Sequence, residues 1–178
     1  VGSSSLSSGS IRTVKSGRHP RRSEMVAEVL DGKACGAEVE TTVAQQAAAL
    51  HAVGVEPHLA VVIVGDDPAS RVYVGAKERA CARVGVKSTR IDLSGGAGFD
   101  EVVDTVKRLN GDSSVHGILV QSPLPAGMDE LAITELIDPA KDVDGFHPVN
   151  LGRIVQGRTD GLVPCTPAGI VKLLEWGG

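Results

Sequence analysis

Aromatic side chains are nearly missing from this chain, with two Phe, one Trp and one Tyr among 178 residues. Its core must therefore be packed from Ala, Val, Leu and Ile. Paired cysteines are missing too. Cys35, Cys81 and Cys165 stand far apart and form no CxxC, which excludes a zinc ribbon and a disulfide framework. Three scattered thiols suit a reducing compartment. No apolar run approaches the ~18 residues that span a bilayer, so no membrane partner is expected. There is no GxSxG, no P-loop and no GxGxxG following a strand. Nor is there a basic stripe with interleaved aromatics. Five of the basic residues fall in residues 1–24 with a single acid, which leaves the remainder at a net charge of −8. A body that acidic repels phosphate, and nucleic acid is set aside as a partner.

What the chain does have begins with a divided layout. Residues 1–24 are Ser-rich and Arg-containing, and they read as a tag, a disordered tail or the remnant of an organellar transit peptide. Met25 is the expected native start. A cytoplasmic location follows unless that leader is native, in which case the location is organellar.

From Val26 the pattern alternates helix and strand. An Ala-rich helix is expected from Asp31 to about Val53, with Val39, Val43, Ala47 and Leu50 on one face. His58 to Val64 reads as a buried strand. Asp67-Pro68 then opens a helix, Asp67 as cap and Pro68 at the first helical position. Val72, Ala76, Ala80 and Val84 would form its buried stripe. Val86–Leu93 and Val115–Val120 read as further strands, with Phe99–Leu109 and Met128–Ile137 as helices. Residues 138–165 read as loop with weak strand content around Gly152–Val155, and Thr166 as cap of a last helix from Pro167 to Trp176. Repeated strand–helix units predict an α/β layered domain with a mainly parallel sheet flanked by helices. Ligands in such sheets sit beyond the carboxyl ends of the strands.

The residues able to do chemistry cluster there. Tyr73 and Lys77 lie four apart on a helix and face the same way. Lys77 should stand at the border of the buried face, with its stem on apolar surface and its amine in a cleft. Partial burial makes an amine easier to deprotonate, as a proton carrier at neutral pH requires. A surface lysine snorkelling along its helix is the plainer alternative. Tyr73 offers a ring for stacking a flat heterocycle and a hydroxyl beside the amine. Gln121 ends a strand ahead of Pro123 and Pro125, and its amide can donate and accept at once. Asp142 and Asp144 sit in Lys-Asp-Val-Asp-Gly. A calcium loop starting at Asp142 would need a glutamate where Arg153 stands, so that reading fails. A carboxylate pairing with the donor edge of a heterocycle fits better, with loop-capping Asx turns as the plainer alternative. His116 and His147 lack partners at ligand spacing and read as solvated or structural. Cys165 reads as packing at a helix start, and Gly95-Gly96-Ala97-Gly98 is a lone Gly-rich turn.

Several motifs occur in one order: Val62-Ile-Val-Gly-Asp-Asp-Pro-Ala-Ser70, Tyr73-Val-Gly-Ala-Lys77, Gly117-Ile-Leu-Val-Gln-Ser-Pro-Leu-Pro125, Pro139-Ala-Lys-Asp-Val-Asp-Gly-Phe-His-Pro148 and Pro164-Cys-Thr-Pro167. Together they resemble the bifunctional methylenetetrahydrofolate dehydrogenase/methenyltetrahydrofolate cyclohydrolase family, from about Met25 to the last residue. The resemblance implies oxidation of 5,10-methylenetetrahydrofolate with NADP, then hydrolysis of the methenyl product to 10-formyltetrahydrofolate. It implies Lys77 as the proton-transfer residue of hydrolysis and Tyr73 as the stacking face. It implies that Gln121 orients lysine and substrate, that Asp144 holds the pterin and that Pro123 touches the substrate. It also implies a homodimer in the full-length enzyme.

There are departures. Ser122 stands where the family usually has Leu. The expected layout is a catalytic domain over 25–163 and the start of a linking helix over 164–178, with the NADP-binding Rossmann lobe absent from the chain. On that layout cofactor-binding residues are not expected within the chain, and at most weak hydrolysis is expected of it alone, with a tendency to associate. Two other readings compete: a non-catalytic folate-binding or interaction module derived from the family, and an α/β enzyme using Lys77 as a Schiff-base nucleophile.

Overall fold

The computed structural model describes residues 29–178. The expectations for residues 1–24 and for Met25 lie outside the described residues.

The chain runs α1 (Gly32–Ala52), β1 (His58–Val64), α2 (Pro68–Val84), β2 (Lys87–Leu93), α3 (Phe99–Gly111), β3 (Gly117–Gln121), α4 (Glu130–Leu136), α5 (Pro148–Val155) and α6 (Cys165–Gly177). The three strands pair in parallel in the order β2-β1-β3. His-Leu-Ala-Val-Val-Ile-Val is apolar on both faces, and that is why it takes the centre. Lys-Ser-Thr-Arg-Ile-Asp-Leu alternates and takes an edge. Beyond β3, Ile118 N–H donates to Lys141 O at 2.7 Å, so residues 141–142 lie alongside the sheet as a single bridge.

Side-chain parity then divides the core. Ala60, Val62, Val64 and Ile118 point to one face and pack under α3 and α4, with Val102, Val106 and Ile133. Val61, Ile63 and Leu119 point to the other and meet Val74 of α2. Gln121 shares the parity of Leu119, so its side chain leaves the sheet on the α2 side.

Helix ends follow their local chemistry. Asp67 accepts from Ser70 N at 2.7 Å with Pro68 at the first turn, as the sequence predicts, and α2 closes on Gly85 at φ 76°. The buried row of α2 differs from expectation. Of the expected stripe Val84 is buried and Ala80 half-buried, but Val72 is 68% exposed and Ala76 is exposed; Ser70 and Val74 are buried in their place, with Lys77 and Cys81 following on that row. A helix carrying Ala and Val on every side gives two apolar rows to choose from, and the sheet selected the one through Val74. In α1, Cys35 and Ala47 are buried while Val39 and Leu50 stay part exposed.

Two further expectations are corrected. Residues 152–155 belong to α5 and not to a strand. His147 at the cap position and Pro148 in the first turn start a helix that overrides the β-branched Ile154-Val155. The last helix begins at Cys165, after Pro164 in extended conformation, so Thr166 lies inside its first turn and does not cap it. Among the described residues no helix is long and apolar enough to cross a membrane, and no group of three metal-ligating side chains converges.

Candidate active site

On the α2 side of the sheet a cleft of about 470 Å³ opens, floored by Leu59 and Leu119. Lys77 and Cys81 come down from α2, Asp144 from the loop after the edge bridge, and Cys165 from the start of α6. Lys77 is half-buried, and its Nζ donates to Gln121 Oε1 at 3.1 Å. Helix row and strand parity together produce that contact: the inward row of α2 passes over the end of β3 where Gln121 points up. The Gln121 amide has one sensible orientation. Its Nε2 donates to Ser122 O at 2.6 Å while its oxygen receives the lysine N–H; the flipped amide would set donor against donor and oxygen against oxygen.

The carboxylate opposite is Asp144. Among the described residues it accepts no hydrogen bond, and it faces the cleft half-buried. Burial pushes its carboxyl above the ordinary range, with the Lys77 charge pulling it back and nearby Asp142 adding to the rise. Asp144 is thus an acceptor facing the cleft for which the described residues supply no donor.

Asp142 plays a different part. It is 1% exposed and accepts from Gly145 N at 3.1 Å, His147 N at 2.8 Å and Asn150 Nδ2 at 3.0 Å. It ties the loop that presents Asp144 and is spent in doing so. Lys141 holds the same loop from behind, donating to Leu109 O, Asn110 O and Asp112 O at the end of α3. His147 is structural: Nδ1 accepts from Val149 N, and Nε2 lies 3.3 Å from Glu135 O as its donor. His116 is exposed at the far end of the cleft.

Tyr73 lies one turn before Lys77 on α2 and is 62% exposed, outside the lining of the cleft. Pro123 follows a cis peptide bond and is exposed beside Gln121. Cys165 Sγ donates to Val143 O at 3.2 Å, and burial raises its thiol further with Asp144 adding to the rise. A protonated, hydrogen-bonded thiol packs the helix start and makes a poor nucleophile.

Sequence reasoning missed Ser70 and Glu130. Ser70 is buried, and its hydroxyl reaches toward Ser122 O at 3.4 Å. Glu130 accepts from Ser122 Oγ at 3.1 Å and from Leu124 N at 2.8 Å. Its place two residues after Met128, at the head of an expected helix, was the available signal.

Set against known proteins, residues 30–144 match the model of the tetrahydrofolate dehydrogenase/cyclohydrolase catalytic domain. The chain belongs to that family. It is 48% identical over 154 residues to the bifunctional protein FolD of Aromatoleum aromaticum, covering 86% of this chain and 53% of that protein. It is 49% identical over 148 residues to FolD of Campylobacter concisus, covering 83% and 52%. Among solved structures, the Campylobacter jejuni FolD enzyme superimposes with a TM-score of 0.82 at 44% identity, covering 83% of this chain and 52% of that one. The Trypanosoma brucei enzyme, solved with NADP cofactor and an inhibitor, gives 0.81 at 32% identity, over 85% and 52%. The chain spans about half the length of the relatives it matches. The α/β fold read from the sequence is the fold of the family's catalytic domain, and the family match ends on Asp144, with Cys165 of the cleft lying beyond it.

Proposed function

We propose that this chain supplies the folate-binding half of an NADP-dependent methylenetetrahydrofolate dehydrogenase/methenyltetrahydrofolate cyclohydrolase, with Lys77 carrying protons in the hydrolytic step. The observation that carries the reading is the Lys77–Gln121 contact at 3.1 Å, across a cleft from a half-buried carboxylate with no partner among the described residues.

The chemistry follows from those positions. The pterin presents a row of N–H donors, and Asp144 is the acceptor able to take them. Tyr73 covers the flat ring system, and Pro123 lines the adjacent rim. The methenyl carbon, bonded to N5 and N10 of the folate, then lies within reach of the Lys77 amine. Water attacks that carbon while its proton passes to Lys77. The resulting carbinolamine collapses with breakage of the carbon–N5 bond, Lys77 returning a proton to N5 and the hydroxyl proton leaving as the formyl C=O forms. One water proton is thereby retained on N5 and one released. Gln121 directs the neutral amine by holding one of its two N–H bonds, leaving the other and the lone pair for water and substrate.

NADP finds no cradle among the described residues. The one Gly-rich turn after a strand, Ser94–Gly98, is closed on itself, with Ala97 N donating to Ser94 O and Gly96 N to Ser94 Oγ. Its Gly95 also packs against the Gly65 backbone.

The test is decay of methenyltetrahydrofolate absorbance with purified chain. Lys77→Ala is expected to lower the enzymatic rate on the order of 10²- to 10⁴-fold, while the chain still binds a folate. A variant that hydrolyses as fast as the parent would remove Lys77 from the mechanism.

A further inference from the structure

The Lys77–Gln121 pair is held from a distance by one carboxylate, and that carboxylate belongs to neither cleft wall. We propose that Glu130 is a positioning residue for the pair, acting through Ser122; its catalytic consequence rests on the role of Lys77 given above.

The argument starts from the loop. Between Gln121 and Ala126 the chain reads Ser-Pro-Leu-Pro, so two of four residues have no N–H and the segment cannot hold itself by its own ladder. Glu130, first residue of α4, closes the gap. Oε1 accepts the Leu124 amide at 2.8 Å and Oε2 the Ser122 hydroxyl at 3.1 Å, so one carboxylate grips the loop on both sides of Pro123. Its own place is set by Asp129, which caps α4 through Ala132 N at 3.1 Å.

Ser122 transmits the grip. Its hydroxyl goes to Glu130 while its carbonyl accepts the Gln121 amide at 2.6 Å, with the buried Ser70 hydroxyl at 3.4 Å behind. That carbonyl is what fixes the Gln121 oxygen toward Lys77. Moving it turns the amide, and turning the amide releases the lysine. A shift near 1 Å at a catalytic group is enough for a loss of about 10²-fold.

A plainer account exists: an acid in the first turn favours a helix through its dipole alone. The two accounts part at Glu130→Gln. Glutamine keeps an acceptor for Leu124 N–H, and the Ser122 hydroxyl can rotate to accept from its amide, so positioning survives while the charge is lost.

The experiment follows the Gln121 side-chain amide by proton–nitrogen NMR in the full chain, its signal assigned by disappearance in Gln121→Glu. Glu130→Ala is expected to move this signal toward that of a solvated amide and to lower kcat for hydrolysis on the order of 10-fold or more, with KM changed less. Glu130→Gln is expected to restore both. Ser122→Ala, which spares the Leu124 contact, is expected to fall between and serves if Glu130→Ala does not fold. An unmoved Gln121 signal in folded Glu130→Ala, or in Ser122→Ala where it must serve, overturns the proposal whatever the activity. Loss without rescue in Glu130→Gln also overturns it and leaves only the helix charge. If the parent chain shows no hydrolysis, the functional reading falls, and the amide signal still decides this one.

Discussion

A single carboxylate shows how function and stability oppose each other here. Asp144 is placed half-buried, without a partner among the described residues, with Asp142 nearby. Its carboxyl is raised, so the folded state prefers the proton more than the unfolded chain does. The sign follows: stability tied to this group is full below the carboxyl's unfolded value and is lost as pH rises through the higher folded value. At neutral pH the native state carries the cost of a desolvated anion. Asp144→Asn is therefore expected to melt at a higher temperature than the parent at pH 7, the difference shrinking toward pH 4, and to lose folate affinity. A variant less stable at pH 7 would show that Asp144 has a structural partner. Lys77, Tyr73, Gln121 and Asp144 could be named as candidates from the sequence, by residue type, spacing and the order of the motifs. Glu130 and Ser70 could not, because each matters through a hydrogen bond to a loop that only the fold brings near.

The elements were legible where their residues agree and were misread where they conflict. β1 is apolar throughout and α2 opens on Asp-Pro, so both emerged from pattern alone. The buried row of α2 and the nature of residues 148–155 did not, since Ala and Val fit either row and Ile-Val fits either structure. The loop between the edge bridge and α5 is tightly constrained at Gly145. Gly145 there has φ 72°, and a Cβ on it would lie 2.6 Å from Pro164 N and Val163 C, both backbone. Gly145→Ala combines a left-handed penalty with overpacking and should cost on the order of 3 kcal/mol. Gly36, inside α1 with nothing within 4 Å of its would-be Cβ, is the control. Gly36→Ala should stabilise by roughly 0.5–1 kcal/mol through helix propensity. Urea denaturation of both variants checks the pair. If Gly145→Ala is neutral, the loop is not pinned against Val163–Pro164, and Asp144 is not held as described.

At the scale of the molecule, protection should be unequal, and the inequality follows from where the core lies. The apolar interior sits on β1 and β3, with α3 and α4 on one face and α2 on the other. α3 turns Val102, Val106 and Leu109 fully inward. In α6 no residue is buried, and Ile170, Val171 and Leu174 are each more than half exposed. That helix meets α1 around Trp176 and Lys172 and is held at its start by the Cys165–Val143 contact. Its backbone bonds are supported by little burial, so opening it exposes little new apolar surface and costs little free energy. Amide hydrogen exchange should accordingly be fastest in 165–177 and slowest in β1 and α3, with α6 opening below the global unfolding energy. Because Cys165 lines the cleft, folate bound against Asp144 should slow exchange at the first turn of α6 more than in its last turns. Uniform slowing along α6 would mean that the helix closes as a unit over the cleft. No slowing at residues 165–168 would place the ligand away from Cys165, and with it away from the Asp144 wall.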